Sequence, residues 1–257
     1  MELNMNHGEK MHQPQHPQQQ QKDLKHEKKE EKPKNSKYVI LTFYMTYVFL
    51  MTTATITFIE ALRTKDSKVR HILNLETCIS VVATFFYSKF VKDIETFESK
   101  NEPIDYKEIN RKRYSDWMIT TPIMLLVLCL AFVYNSKTTL NFFTYIIILV
   151  LNMLMIGVGY FGEVGVIKSK WTADIVGFVF FIALYGYIYY KFLYKKYNFD
   201  NMIIYLSFLV LWTFYGVFYM FDEVTKNVSF NVLDLFAKCF VGIFFWAYFT
   251  GVFTLKK

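Results

Sequence analysis

FNVLDLFAKCFVGIFFWAYFTGVFT, Phe230 to Thr254, is a run of 25 residues whose only charges are Asp234 and Lys238. As a helix such a run crosses a hydrocarbon core of about 30 Å, for which roughly 20 mostly apolar residues suffice. Six further runs of spanning length precede it: Tyr38 to Leu62, His71 to Val91, Tyr114 to Tyr134, Leu140 to Gly162, Trp171 to Tyr190 and Met202 to Phe221. In lipid every backbone polar group must be satisfied internally, so a span is a helix or part of a closed barrel. None of the seven runs alternates strictly over ten-residue segments, which excludes the barrel. The reading is an all-α membrane protein, a seven-transmembrane-helix bundle over residues 38–255.

Composition agrees. Of 257 residues 53% are apolar, only 20% are charged, and 4 Trp, 19 Tyr and 27 Phe stand among them, which excludes an ordinary soluble enzyme. Residues 1–37 differ: Gln18 to Gln21, four of the five histidines (His7, His12, His16, His26), Pro14 and Pro17, and an alternating Lys/Glu stretch identify a disordered tail rather than a metal site or a cleaved signal peptide. Cys78, Cys129 and Cys239 fall in three different apolar runs, as buried thiols do and a disulfide framework does not. The connections are short except Lys92 to Arg113, whose mixed charges suggest some ordered structure. The loops on one side carry Arg63, Lys65, Lys68, Arg70, Lys137, Lys191, Lys195, Lys196, Lys256 and Lys257. The tail, Lys100 to Arg113, Lys168, Lys170 and Lys226 carry as many on the other, so positive charge does not settle orientation.

An ionisable side chain at bilayer depth costs about 2.5 to 3.5 kcal/mol on insertion scales, so each needs a partner or a job. Asp234 and Lys238 lie four residues apart on one helical face, and Asp116 in the third span follows Arg113 by one turn. Two carboxylates can meet one lysine. One reading is a structural ion pair pinning the third and seventh helices together. The other is chemical: an amine in apolar surroundings is a nucleophile toward an aldehyde, and the protonated Schiff base that results needs a counterion. The aldehyde's carrier is then long and apolar, since Trp117, Trp212, Tyr215, Tyr219 and Met155 are the buried side chains available to line its slot, with Gly159 leaving room.

These residues resemble the microbial (type 1) rhodopsins. RYSDWMITTP, Arg113 to Pro122, is similar to that family's third-helix signature; LDLFAK, Leu233 to Lys238, to its retinal-lysine motif; LWTFYG, Leu211 to Gly216, to its retinal-pocket segment; and MIGVGYFG, Met155 to Gly162, to the segment that packs on the chromophore ring. The likeness covers about residues 38–255. NLETCIS, Asn74 to Ser80, with INRKRYSDW, Ile109 to Trp117, is most similar to rhodopsins of giant viruses.

The resemblance implies all-trans retinal bound to Lys238 as a protonated Schiff base, with Asp116 as primary counterion and proton acceptor, Asp234 as second carboxylate and Arg113 holding the charge balance. It implies Trp117 and Trp212 on either side of the polyene, Tyr215 in contact with it, Met155 and Gly159 at the ring, Trp171 as the fifth-helix tryptophan, and Thr120 and Thr121 as the hydroxyls following Asp116. Tyr87 matches a second-helix tyrosine that bonds near the counterions. An outside N-terminus is also implied, in a host cell membrane if the chain is viral, with lipid and a transported cation or proton as partners, association of copies as a homo-oligomer possible, and no nucleic acid.

Departures from the family bear on activity. Outward proton pumps of this family carry a carboxylate eleven residues after the acceptor; here that position is Val127, which has no proton to give. Glu76, eleven residues before Tyr87 and so about 16 Å along the second helix at 1.5 Å per residue, is the substitute acid. With Asn74, Thr77 and Ser80 it forms a strip able to replace part of an ion's hydration shell. Asn231 adds a polar group one turn before Asp234, Asn152 can pair with Thr121, and Gly216 stands where most members have proline. The first reading is therefore a light-gated cation channel, the second an outward proton pump, the third a photosensor with a partner protein, the fourth a scaffold without chromophore. None is an enzyme.

Overall fold

The computed structural model describes residues 36–195 and 197–255; the tail over 1–37 lies almost wholly outside the described residues, and nothing tests its reading. Seven helices long and apolar enough to cross a membrane follow one another with no strand among the described residues: α1 (Ser36–Arg63), α2 (Ser67–Ser99), α3 (Tyr106–Asn135), α4 (Phe142–Glu163), α5 (Lys170–Phe192), α6 (Phe199–Tyr219) and α7 (Glu223–Phe249). The protein is a multi-pass integral membrane protein. The face at which α1, α3, α5 and α7 begin is called the N-terminal face below.

Each start has a chemical reason. Asp66, Asp105, Asn141, Ser169, Asn198 and Asp222 stand as N-caps of α2 to α7, their side chains accepting hydrogen bonds from backbone N–H groups that the first turn leaves free. Hydrogen bonds from Thr225 hold the Asp222 carboxyl below the usual carboxylate range. Outward-facing side chains are apolar, as at Ile175, Val179 and Ile182 of α5, the pattern a helix shows toward lipid tails.

The long connection after the second apolar run is mostly helix. Lys92 to Ser99 prolong α2 and Tyr106 to Lys112 begin α3, leaving only residues 100–105 as a turn. Hydropathy stops where the charges begin, but the buried stripe goes on through Ile94 and Ile109, and Lys112 bridges Asp93 at 2.6 Å and Glu108 at 2.8 Å. Tyr44 of α1 also hydrogen-bonds Glu95 there.

α3 is the hub, packing against α2, α4, α6 and α7. It buries Arg113, Asp116, Trp117, Thr120 and Thr121 on one side, although its sequence shows little amphipathic contrast, because apolar neighbours surround it. α7 holds a wider π turn at Leu235–Phe240, around Lys238. The three cysteines are free, Cys129 and Cys239 buried and Cys78 on the outward surface.

α4 and α5 make the closest helix pair, and Gly162 is one cause: a Cβ there would overlap the Ala173 methyl and the Tyr219 hydroxyl. Gly162→Ala is therefore expected to cost about 1 to 3 kcal/mol through overpacking, read as a lower midpoint in thermal unfolding of the detergent-solubilised protein.

Candidate functional site

At mid-bundle two carboxylates and an amine from α3 and α7 converge. Lys238 Nζ lies 2.6 Å from Asp116 Oδ2 and 3.3 Å from Asp234 Oδ2, all three side chains fully buried. Burying one lysine with two carboxylates leaves an excess negative charge, and Arg113 supplies the balance from one turn before Asp116. Its Nη1 stands 3.6 Å from Asp234 Oδ2 and donates to the Tyr87 hydroxyl at 3.0 Å; its Nη2 donates to Asn231 Oδ1 at 2.8 Å and Asn227 Oδ1 at 3.3 Å.

The two carboxylates are held differently. Asp234 accepts from Tyr215 at 2.6 Å on one oxygen and from Tyr87 at 2.9 Å on the other, besides Lys238. Asp116 has Lys238 alone on Oδ2, and its buried Oδ1 finds no donor among the described residues. Asp234 is thus fixed by three side chains; Asp116 can accept one more hydrogen without losing a partner.

From Lys238 an apolar cavity extends toward α4 and α5. Trp117 and Trp212 wall it, with Thr121, Met155, Gly159, Tyr215 and Tyr219 among the other lining residues anticipated from sequence. Thr121 Oγ1 accepts from Asn152 Nδ2 at 2.9 Å, tying α3 to α4 beside the cavity. Trp171 must be corrected: it is 66% exposed and lies outside the cavity. It sits in the first turn of α5, about a quarter-turn round from the residues that do face inward, so its helical phase turns it outward.

In its place α5 presents Asp174, Gly177, Phe178 and Phe181. Sequence reasoning missed these because an apolar helix with polar residues only at its ends marks no inward face. The Phe178 ring occupies the space beside Gly216, 2.5 Å from where a Cβ would stand, so glycine at that position of α6 makes room for an aromatic side chain. Asp174 carries its carboxyl into the cavity wall with no hydrogen bond or ion pair among the described residues.

Glu76 lies apart from this cavity, on α2 toward the opposite face. It is 2% exposed, neither of its oxygens hydrogen-bonds a described residue, and one lies 3.1 Å from where a Cβ on Gly242 of α7 would be. Ser80 Oγ is also buried without a partner, while Thr57 and Thr77 hydroxyls meet at 2.9 Å between α1 and α2. Val127 is buried in apolar contacts.

The sequence profile of the bacteriorhodopsin-like proteins matches residues 39–252. The chain belongs to this rhodopsin family. Rhodopsins of the family bind retinal through a Schiff-base lysine, and members include light-driven transporters. The crystal structure of viral rhodopsin OLPVRII is 52% identical over 84% of this rhodopsin and 100% of that chain, with a TM-score of 0.76, which places the protein near the viral rhodopsins. Blue light-absorbing proteorhodopsin from Med12 is 20% identical over 82% of this chain and 96% of its own, at a TM-score of 0.64. Xanthorhodopsin, a light-driven ion pump with dual chromophore, is 17% identical over 83% and 92%, at 0.68. At those identities the last two share the fold alone. No curated protein sequence matches the chain.

The cavity suits a retinal: it is apolar, it starts at a lysine, two tryptophans wall it, Gly177 leaves open space on α5, and Gly159 and Gly216 make room for the Tyr114 and Phe178 side chains that line it. Truncating Arg113 would leave Asp234 with its tyrosines but an uncompensated charge at full burial. Arg113→Gln is expected to cost about 3 to 5 kcal/mol, against about 0 to 1 for Lys112→Ala at the partly exposed pair with Asp93, both read by thermal unfolding of the retinal-free protein.

Proposed function

We propose that Lys238 carries all-trans retinal as a protonated Schiff base and that light opens a passive path for cations through the bundle, with the N-terminal face outside the cell. Bound there, retinal supplies absorption of visible light and a change of shape at the lysine nitrogen. Asp116, 2.6 Å away with one oxygen free, takes the proton from that nitrogen. Asp234 is the second carboxylate, held in place by Tyr87 and Tyr215 with Arg113 at 3.6 Å.

The observation that carries the passive reading is the contrast between α3 and α2 on the far side of Lys238. Val127 is buried among apolar side chains and offers no proton. Glu76, Ser80 and the Thr57–Thr77 pair instead put oxygens between α1, α2 and α7, two of those groups unpartnered. Buried oxygens without partners bind water or an ion as soon as the helices part.

A second reading is favoured by the short Lys238–Asp116 contact and the intact Thr120, whose hydroxyl bonds the Asp116 carbonyl at 2.9 Å: an outward proton pump in which Glu76 returns the proton. The light-evoked current–voltage curve separates them. A channel's current changes sign near the cation equilibrium potential; a current that stays outward at every voltage and gradient is that of the pump.

Lys238→Ala is expected to abolish the visible band that the wild-type protein develops with all-trans retinal, and borohydride reduction of the wild type should leave a retinyl mass on Lys238. Glu76→Gln keeps the size of the side chain and removes its charge and acidity. Under the channel reading it changes conductance or ion selectivity several-fold under voltage clamp with the absorption band retained, and unaltered photocurrents would remove Glu76 from the path.

A further inference from the structure

Lys226 stands in the first turn of α7, where the sequence alone makes it one more loop charge, yet it is fully buried. Its Nζ donates to both oxygens of Glu163 at 3.1 Å and to Glu223 at 2.9 Å, which uses all three ammonium hydrogens. The same two carboxylates are bridged a second time by Asn110, whose Nδ2 donates to each at 2.8 Å and whose Oδ1 is buried without a partner. Glu163 ends α4, Asn110 belongs to the first turns of α3, and Glu223 and Lys226 open α7, so four side chains join three helix ends at the N-terminal face.

This cluster is connected to the lysine site. Asn227 beside Lys226 accepts from Arg113, and Arg113 reaches Tyr87 and Asp234. On α7 the positions 226, 230, 234 and 238 follow at four-residue steps, which puts both lysines and Asp234 along one inward stripe. A cation passing Asp116 toward this face meets Arg113 and then Lys226, two buried positive charges in series. Between its two carboxylates the Lys226 ammonium occupies the place a small metal cation would take.

We propose that Lys226 is a tethered cation that locks the N-terminal end of the path: held by Glu163 and Glu223, which Asn110 also bridges, it closes that end to metal cations, and it acts as a specificity-determining residue for whatever crosses. The proposal rests on the transport reading above, but its lock can be tested without light.

In the dark, purified full-length protein is titrated with terbium(III) at neutral pH, with excitation of aromatic residues; the Tyr219 ring lies 5.9 Å from Lys226 Nζ and serves as the sensitiser. Lys226→Gln is expected to gain saturable terbium luminescence that wild type and Lys226→Arg lack and that the double variant Glu163→Gln/Lys226→Gln loses. Equal terbium binding by wild type and Lys226→Gln would overturn the lock. If Lys226→Gln does not fold, Lys226→Met with Glu223→Gln removes the amine and the more exposed carboxylate together, and the same comparison is made with Glu163→Gln added.

Under voltage clamp, Lys226→Gln with its visible band intact should pass at least twofold more inward current than wild type at negative voltage, with Lys226→Arg close to wild type. Superimposable curves for Lys226→Gln and wild type would overturn its role in specificity. A wild type that absorbs light but passes no current refutes the transport reading, and the terbium comparison still decides the lock.

Discussion

One ammonium between two carboxylates, all out of reach of water, constrains everything else in this bundle. Lys238, Asp116 and Asp234 would be intolerable singly at bilayer depth, and together they still leave a negative charge. That surplus requires Arg113, and Arg113, with more donors than one carboxylate can satisfy, requires Tyr87, Asn231 and Asn227. The polar core is therefore a chain of obligations running along α7 and the facing side of α3. Its cost in desolvation is high, and apolar replacements of the same shape would serve stability as well or better.

The asymmetry between Asp116 and Asp234 turns a static ion cluster into a device. Besides the lysine, two tyrosine hydroxyls donate to Asp234 and the Arg113 guanidinium stands 3.6 Å away. Asp116 has one partner and one idle oxygen. In the function proposed above, a proton leaving the lysine nitrogen goes to Asp116, the carboxylate with an oxygen to spare among the described residues. Under that proposal the transfer would remove the Lys238–Asp116 charge pair between α3 and α7 and leave their attraction to Arg113, Tyr87 and packing.

Sequence carried much of this. The seven spans follow from run length and hydropathy, and the convergence of Lys238, Asp116 and Asp234 follows from spacing and from the cost of unpaired charge. Sequence failed where side-chain direction, not residue type, decides. Trp171 was expected at the cavity and turns outward because it lies in the first turn of α5, at an angle that one sequence without visible amphipathicity does not reveal. The extension of α2 and α3 beyond their apolar runs was hidden by charges that pair across the two helices at Lys112 and Asp93. Lys226 was counted with the loops because its partner Glu163 lies 63 residues earlier in the chain, and no local pattern joins them. The Glu223–Lys226 spacing was the one local hint.

The two ends of the polar column differ in kind. Toward the opposite face stand Glu76, Ser80 and threonine hydroxyls, neutral or acidic groups that stabilise a hydrated cation. Toward the N-terminal face stand Arg113 and Lys226, each buried and each already committed to acceptors. A cation entering from the acidic end finds ligands first and positive charge last; one entering from the other end meets repulsion before any ligand. If the column conducts as proposed, its current is not symmetrical at equal concentrations, because the barrier lies near one mouth and the membrane voltage acts on it differently in the two directions. Under the passive reading proposed above, Lys226 is the last buried positive charge a metal cation meets before the N-terminal face.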